Sequence, residues 1–280
     1  MRLFLLTALT MTAFAANSVL NRLAVAGGWA DPGGFAIVRV LAGAMMLALL
    51  VLAQRQRLPL WHRRRLLGAG SLTLYMVGFS LAYLTLDAGL GALILFGVVQ
   101  IAMFGWSAAT GAPPTHRQLA GAMIAFAGLV WVLWPAGAFR VDAGGAGLMA
   151  LAGIGWAAYT LAGRGEADAL AATGANFVMA LPLTAGAILP LAGLPAMTWQ
   201  GVLLALVSGA VTSGLGYALW YRLVPALGPV RAATVQLSAP VIAVLGGVLL
   251  LGETAPLRLL LGGAVLLGGI ALSIRRAPAA

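Results

Sequence analysis

Long apolar runs dominate the sequence, and the short segments between them hold most of its charges. The runs are continuous rather than alternating in polarity, which favours membrane helices over the strands of a barrel. A helix needs about 20 mostly apolar residues to span the hydrocarbon core of a bilayer. The pattern predicts an all-α membrane protein with ten spans, at residues 3–24, 33–53, 66–84, 89–110, 116–134, 145–163, 172–192, 199–222, 229–250 and 257–274.

The composition leads to the same class of protein. Of the 280 residues 62% are hydrophobic and 8% are charged, whereas a soluble domain has about 25% charged residues. The net charge of +10 comes from sixteen arginines in a chain without lysine. Arginines in short loops set membrane topology, so we expect lipid rather than nucleic acid as a partner. The chain has no cysteine and two histidines, so we expect no metal site and no cofactor.

The arginines also predict an orientation. Twelve of them fall on the side of the N-terminus and three on the other side of the predicted spans. By the positive-inside rule both termini are cytoplasmic, in what we expect to be a bacterial inner membrane. Residues 2–15 imitate a signal peptide, but they take part in an internal repeat, so we expect them to be retained.

The second half of the chain repeats features of the first. Residues 14–17 (Phe-Ala-Ala-Asn) recur 142 residues later as residues 156–159 (Trp-Ala-Ala-Tyr). Each half has five predicted spans, so the two halves must lie in opposite orientations in the membrane. We expect an inverted repeat with units at 1–137 and 143–276, and a substrate site near the midplane between them.

A family resemblance follows from the end of the chain. Residues 249–254 read Leu-Leu-Leu-Gly-Glu-Thr, and a helix with Gly262 and Gly263 comes after them. This pattern resembles the end of an EamA domain of the drug/metabolite transporter superfamily, and the paired halves resemble that family over essentially the whole chain. The resemblance implies a secondary transporter, and the aromatic third span is similar to that of aromatic amino acid exporters. The first half departs from the pattern, because residues 110–114 replace the Gly-Glu step.

Aromatic and hydroxyl side chains recur at every fourth residue in the third span and, 138 residues later, in the eighth. Each set forms a stripe on one face of its helix. The two sets are Tyr75, Phe79 and Tyr83, and Ser213, Tyr217 and Tyr221. We expect these stripes, Tyr221 apart, to bind substrate in a central cavity. For Tyr221 and its neighbour Trp220, anchoring at the membrane interface is the alternative.

The first and sixth spans add further candidates for substrate binding. A carboxamide inside a span must be hydrogen-bonded, so Asn17 and Asn21 should face the bundle interior. For both, bonding between helices is the alternative to substrate binding. Trp156 and Tyr159 lie among small residues, where an indole can stack on a substrate and its N–H can hold a polar group.

The fourth and ninth spans carry Gln100, Gln236 and Ser238 as candidates for substrate binding. Pro240 should bend the ninth span, because proline removes a backbone hydrogen bond. The bend is either a simple kink or a hinge for alternating access. Gln100 stands where the second half has Pro240, so the two halves are not equivalent.

Arg39 is the ionisable residue that the pattern places deep within a span. A proton-coupled transporter usually keeps a buried carboxylate or histidine, so we expect a facilitator, or coupling through a group near a span end. For Arg39 the first interpretation is a structural pairing with a helix C-terminus or a distant acid. The second is a counter-charge for a substrate carboxylate.

Glycines are concentrated in the fifth and tenth spans and let helices pack closely, either within one subunit or in a homodimer. They are Gly121, Gly128, Gly262, Gly263, Gly268 and Gly269.

Together these features predict an exporter of small metabolites, and the resemblance implies aromatic or hydrophobic amino acids. The alternatives are an exporter of another metabolite or drug class and a facilitative, channel-like permease. An enzyme is disfavoured, because the spans hold no paired carboxylates, no His-Glu-x-x-His helix and no Ser/His pair, so we expect no catalytic residue.

Overall fold

A computed structural model describes residues 1–82, 85–86, 88–133, 142–192, 196–251 and 257–274. In this part of the chain the regular secondary structure is helical, apart from one isolated β-bridge between Ala30 and Met197. The helices are α1 (Arg2–Ala26), α2 (Pro32–Ala53), α3 (Arg63–Ala82), α4 (Ala88–Ala109), α5 (His116–Leu133), α6 (Ala143–Ala162), α7 (Ala169–Ala192), α8 (Trp199–Val207), α9 (Gly216–Leu227), α10 (Pro229–Gln236), α11 (Ser238–Leu251) and α12 (Leu257–Ile274). A π-helical segment, Ser208–Leu215, joins α8 to α9.

Six stretches of the described chain are long and apolar enough to cross a membrane, so the chain is a multi-pass membrane protein. They are Arg2–Val25, Pro32–Ala53, Arg63–Ala82, Ala143–Gly165, Ala169–Pro190 and Trp199–Leu227. Shorter apolar helices at Ile94–Ala109 and Leu261–Ser273 lie in α4 and α12. The helices follow the predicted spans with two differences. The eighth continues to Leu227, and the ninth is divided into α10 and α11.

The division of the ninth span lies at Leu237, three residues before Pro240. Proline has no N–H, so it cannot bond to the carbonyl of Gln236, which an uninterrupted α-helix would require. Instead the Leu237 N–H donates to the Thr234 carbonyl at 3.2 Å. The Ser238 hydroxyl donates to the Val235 carbonyl at 2.7 Å. The helix is therefore interrupted about one turn before the proline, and a bend of its axis stays a prediction.

Glycines bring α5 and α12 into direct backbone contact. A Cβ on Gly128 would lie 2.7 Å from the backbone nitrogen of Leu266, and a Cβ on Gly269 would lie 2.4 Å from that of Ala125. These faces are therefore used within the subunit. A homodimer stays a prediction, and would have to use the outer faces of the two helices, where Trp131 and similar apolar side chains are exposed.

At the end of the bundle near the N-terminus, α3 is tied to the connection between α6 and α7. Arg65 is 2% exposed and forms a salt bridge with Glu166. The same guanidinium donates to the Ala172 carbonyl at 2.9 Å and to the Asn176 side-chain oxygen at 3.1 Å. Arg65 is one of the twelve arginines that the sequence places on the side of the N-terminus. It lies at the start of α3, which begins at Arg63, and its side chain turns inward to a salt bridge that the sequence did not predict.

The opposite end of the bundle is held by backbone and capping bonds. The Asp31 carboxylate accepts from the Gly34 N–H, which caps α2, and from the Ala196 N–H, both at 2.7 Å. Asp142 caps α6 and lies outside the spans. The Gly145 N–H and the Thr85 hydroxyl donate to its carboxylate and hold the pKa of Asp142 below its ordinary value.

Candidate substrate site

Aromatic rings from α3, α6 and α9 meet in the core of the bundle. Trp156 of α6 is 4% exposed, and its ring centroid lies 4.9 Å from those of Tyr75 and Tyr217. Tyr159 lies one turn along α6, with its ring stacked 5.7 Å from that of Trp156. Phe79 is half-buried and its ring lies 5.5 Å from that of Tyr75. Five of the predicted side chains therefore form one aromatic cluster.

Phe14 of α1, which was not among the predicted site residues, completes this cluster. Its ring meets Trp156 at 5.4 Å and Tyr217 at 5.5 Å, both edge to face. The signal was present in the sequence, since Phe14 occupies the repeat position of Trp156. The two repeat-related aromatic residues are thus in direct contact, one from each half of the chain.

The polar edge of the indole is held by α10. The Trp156 Nε1–H donates to the side-chain oxygen of Gln236. The Gln236 side-chain nitrogen donates to the Ala232 carbonyl at 3.0 Å and lies 4.0 Å from the sulfur of Met103. Gln236 therefore fixes the orientation of Trp156. The amide of Gln100, in α4, is buried without a hydrogen-bond partner in the described chain.

A second group of side chains surrounds Arg39. This residue is 3% exposed and extends from α2 towards the π-helical segment. Its Nε–H donates to the Ser213 hydroxyl and its Nη2 group donates to the Tyr217 hydroxyl, both at 2.7 Å. The structural pairing expected for Arg39 is present, but its partners are neutral hydroxyl groups. These partners are neither a helix C-terminus nor a distant acid, which were the partners first expected for Arg39.

Asn17 joins this group from α1. Its side-chain oxygen accepts from the Ser208 hydroxyl, and its side-chain nitrogen donates to the Ser213 hydroxyl at 3.2 Å. Asn17 thus connects α1 to two positions in the π-helical segment, its first residue and Ser213. These bonds match the role of a link between helices, and they also place the amide beside the guanidinium of Arg39.

The π-helical segment explains how Arg39 reaches Ser213. A Cβ on Gly209 would lie 2.1 Å from the Arg39 carbonyl oxygen, so glycine permits the backbones of α2 and this segment to touch. π-Helical turns are often found at functional sites. The segment was not predicted. Its small and polar composition, with Ser208, Gly209 and Ser213 inside an apolar span, was the available signal.

Other predicted residues lie apart from the two groups. Ser238 is half-buried and bonds to its own helix turn at Val235. Asn21 is half-buried one turn beyond Asn17. Pro240 lies in α11, beside the break. Tyr83 lies outside the described residues.

Interfacial anchoring was the wrong interpretation for Trp220 and Tyr221, because both are fully buried. The Trp220 Nε1–H donates to the Thr160 hydroxyl at 3.1 Å. The Tyr221 hydroxyl accepts from the Asn176 side-chain nitrogen at 3.2 Å. Since Asn176 also accepts from Arg65, these side chains link the aromatic cluster to the salt bridge at the N-terminal side.

Chemically, the two groups offer an apolar, aromatic surface next to a buried cation with hydroxyl and amide groups around it. Among the described residues there is no group of three or more histidine, aspartate or glutamate side chains that could hold a metal ion. Such an arrangement can bind a partly apolar solute.

Comparisons with known proteins agree with this architecture. Residues 143–275 match the EamA-like transporter family. An uncharacterised Pseudomonas aeruginosa protein, PA1977, is 44% identical over 272 residues, which cover 97% of this chain and 94% of that protein. A crystal structure with 19% sequence identity has the same fold, with a TM-score of 0.77 over 94% of this chain and 97% of that chain. The chain therefore belongs to the EamA-like transporter family of the drug/metabolite transporter superfamily and is a multi-pass membrane transporter of small solutes.

Proposed function

We propose that the protein exports small metabolites across a bacterial inner membrane by alternating access, and that aromatic or hydrophobic amino acids are its substrates. The site lies between two inverted five-helix repeats, and both termini are cytoplasmic. The resemblance to the aromatic amino acid exporter YddG suggests the substrate class. The aromatic cluster around Trp156 supports it, since aromatic rings stack favourably on one another.

The packing of the helices supports the inverted repeat. The contact of α3 with α6 has its counterpart in the contact of α1 with α8 and α9. The contact of α4 with α6 likewise has its counterpart in that of α1 with α11. The pairs α2 with α7 and α5 with α12 map onto themselves when the halves are exchanged. Such exchange symmetry is what alternating access between inverted repeats requires.

One observation carries the proposal. Phe14 and Trp156 occupy the same position in the two repeats, and their rings touch in the core at 5.4 Å. A contact between repeat-related residues marks the axis that relates the halves. Transporters of this type hold their substrate near that axis.

The first test is uptake of radiolabelled amino acids into proteoliposomes, with a panel that includes phenylalanine, tryptophan, leucine and aspartate. We expect the aromatic and large apolar substrates to be transported and aspartate to be excluded. Counterflow separates a carrier from a channel, because excess internal substrate stimulates only a carrier. Absence of counterflow for every amino acid in the panel would refute the proposed substrates.

Trp156 provides the variant for this assay. Trp156→Phe keeps an aromatic ring but loses the N–H that bonds to Gln236, and we expect about tenfold slower counterflow from one lost buried hydrogen bond in the site. Trp131→Ala, on the exposed face of α5, is the control and should transport like the wild type. Equal rates for Trp156→Phe and the wild type would refute a role for this N–H in transport.

The same vesicles test the energy source. We infer a facilitator, because the described carboxylates Asp31, Asp142, Glu166 and Asp168 all bond to groups near helix ends. Uptake should therefore continue without a pH gradient. Its collapse on removing the gradient would contradict the facilitator and indicate coupling through a group at a helix end.

A further inference from the structure

The Arg39 guanidinium is a buried positive charge whose described partners are neutral. Within a membrane span such a charge is costly unless it is paired, and functional residues are the usual exception. Ser213 and Tyr217 satisfy two of its N–H groups with hydroxyl oxygens. Hydroxyl groups supply hydrogen bonds but no negative charge, so the cation is solvated without being neutralised.

No described carboxylate neutralises it. Asp31 bonds to the backbone at the start of α2, and Asp142 bonds to the backbone at the start of α6. Asp168 caps α7. Glu166 is paired with Arg65. Each of these acids already bonds to another group. Among the described residues, none of the carboxylates therefore supplies a counter-charge for Arg39.

We propose that Arg39 binds the carboxylate of the transported solute, so that the site selects solutes that carry one carboxylate on an apolar body. A guanidinium has five N–H donors in a planar fork that matches a carboxylate. Bonds to Ser213 and Tyr217 use two of them. Even a further bond to Tyr75, an electrostatic neighbour of the guanidinium, leaves two for a bidentate carboxylate.

The position of Arg39 favours a solute over a lipid headgroup. The side chain is buried, whereas Leu41 and Met45 on the same helix are exposed and mark its lipid-facing side. The Tyr217 hydroxyl that accepts from Arg39 belongs to a ring that also contacts Trp156 at 4.9 Å. A carboxylate at Arg39 would therefore have its apolar body beside the aromatic cluster.

The test is binding of 3-phenylpropionate and of its neutral amide, 3-phenylpropanamide, to the purified full-length protein, followed by thermal shift and by tryptophan fluorescence. In the wild type we expect the carboxylate to bind about 10- to 100-fold more tightly than the amide, the range for a charge-assisted hydrogen bond pair. Arg39→Gln should abolish this preference, and Arg39→Lys should retain part of it. Arg222→Gln, on the exposed surface of α9, is the matched control and should leave the preference unchanged.

Binding of the neutral amide guards against misfolding of the Arg39 variants. A folded variant should bind the amide as tightly as the wild type does, whereas a misfolded one would bind neither probe. If Arg39→Gln binds neither probe, Arg39→Lys, which keeps a cation at this position, carries the test, and complete loss of its preference for the carboxylate would overturn the proposal. Equal affinity for the two probes in the wild type would also overturn it, and so would a preference that survives in Arg39→Gln.

This proposal rests on the proposed function, because it names the chemical group of the substrate that the transport site recognises. The two can fail separately. Arg39-dependent binding of the carboxylate without counterflow of any amino acid would support the anion site and refute amino acid export. Counterflow of phenylalanine with equal rates for phenethylamine, which has no carboxylate, would support transport and refute the role of Arg39.

Discussion

Replacing Glu166 by glutamine should loosen the end of the bundle near the N-terminus. Glu166 is the acid that neutralises the buried Arg65, and together they tie α3 to the connection between α6 and α7. Glutamine keeps an oxygen that can accept from the guanidinium, so the substitution removes the charge and leaves the shape. If this salt bridge forms only when that side of the transporter is closed, the variant should open there more often.

The size of the effect follows from the partners that remain. Arg65 still donates to the Ala172 carbonyl and to Asn176, so the variant does not leave a bare charge. A hydrogen bond to a charged group contributes about 1.5–3 kcal/mol. Glu166 is 13% exposed and a neutral acceptor remains, so the loss should lie near the lower end. About 1.4 kcal/mol corresponds to about tenfold in the open population.

Cysteine labelling can measure this opening, because the chain has no cysteine of its own. Thr173, in the first turns of α7, is fully buried below the salt bridge. Thr173→Cys should react slowly with a membrane-impermeant maleimide, and about tenfold faster when combined with Glu166→Gln. Asp168→Asn is the control, since Asp168 only caps α7. Equal labelling rates with and without Glu166→Gln would refute the reasoning.

Three further predictions concern stability and the bend. Gly269→Ala should lower the free energy of unfolding by about 1–3 kcal/mol, because its Cβ would meet the backbone of the neighbouring helix. Gly268→Ala is the control, since its Cβ would lie in open space, and it should be neutral or slightly stabilising. Thermal denaturation of the two variants measures the difference. The pKa of Asp142 is lowered in the folded protein, so the stability that separates the wild type from Asp142→Ala should be present at neutral pH. This difference in stability should vanish as the pH falls through the lowered pKa of Asp142. A difference in stability that stays the same in acid would contradict the role of the Asp142 carboxylate as a helix cap. Pro240→Ala supplies an N–H that can bond to the Gln236 carbonyl, so we expect the free energy of unfolding to rise by about 1 kcal/mol, measured as a higher melting temperature. Counterflow should be slower in this variant, and faster counterflow would argue against a hinge.

The helices were predictable because lipid imposes length and composition on each span. Local deviations were not, because they depend on partners far away in the sequence. Arg65 turns inward since Glu166 and Asn176 approach it from the other half of the chain. The sequence around residue 65 holds no pattern that predicts these long-range contacts.

For the site, helical spacing and the repeat correctly brought Tyr75, Trp156 and Tyr217 together. The bond between Trp156 and Gln236 depends on how α6 packs near α10, which the spacing within each helix does not determine. Arg39 was recognised as unusual from its place in a span. Its hydroxyl partners required the close contact of α2 with the π-helical segment.

The π-helical segment also makes one part of the chain tolerant to a change in length. Each of its hydrogen bonds spans five residues rather than four, so the segment holds more residues than an α-helix of the same length. If Ala210 is deleted, Ser208–Leu215 should tighten towards an α-helix, and α9 should keep its packing against α1. If Leu219 is deleted from the regular α9, no extra residue is present to compensate, and every later side chain of the helix would rotate about the axis. We therefore expect a higher yield of folded protein from the Ala210 deletion than from the Leu219 deletion.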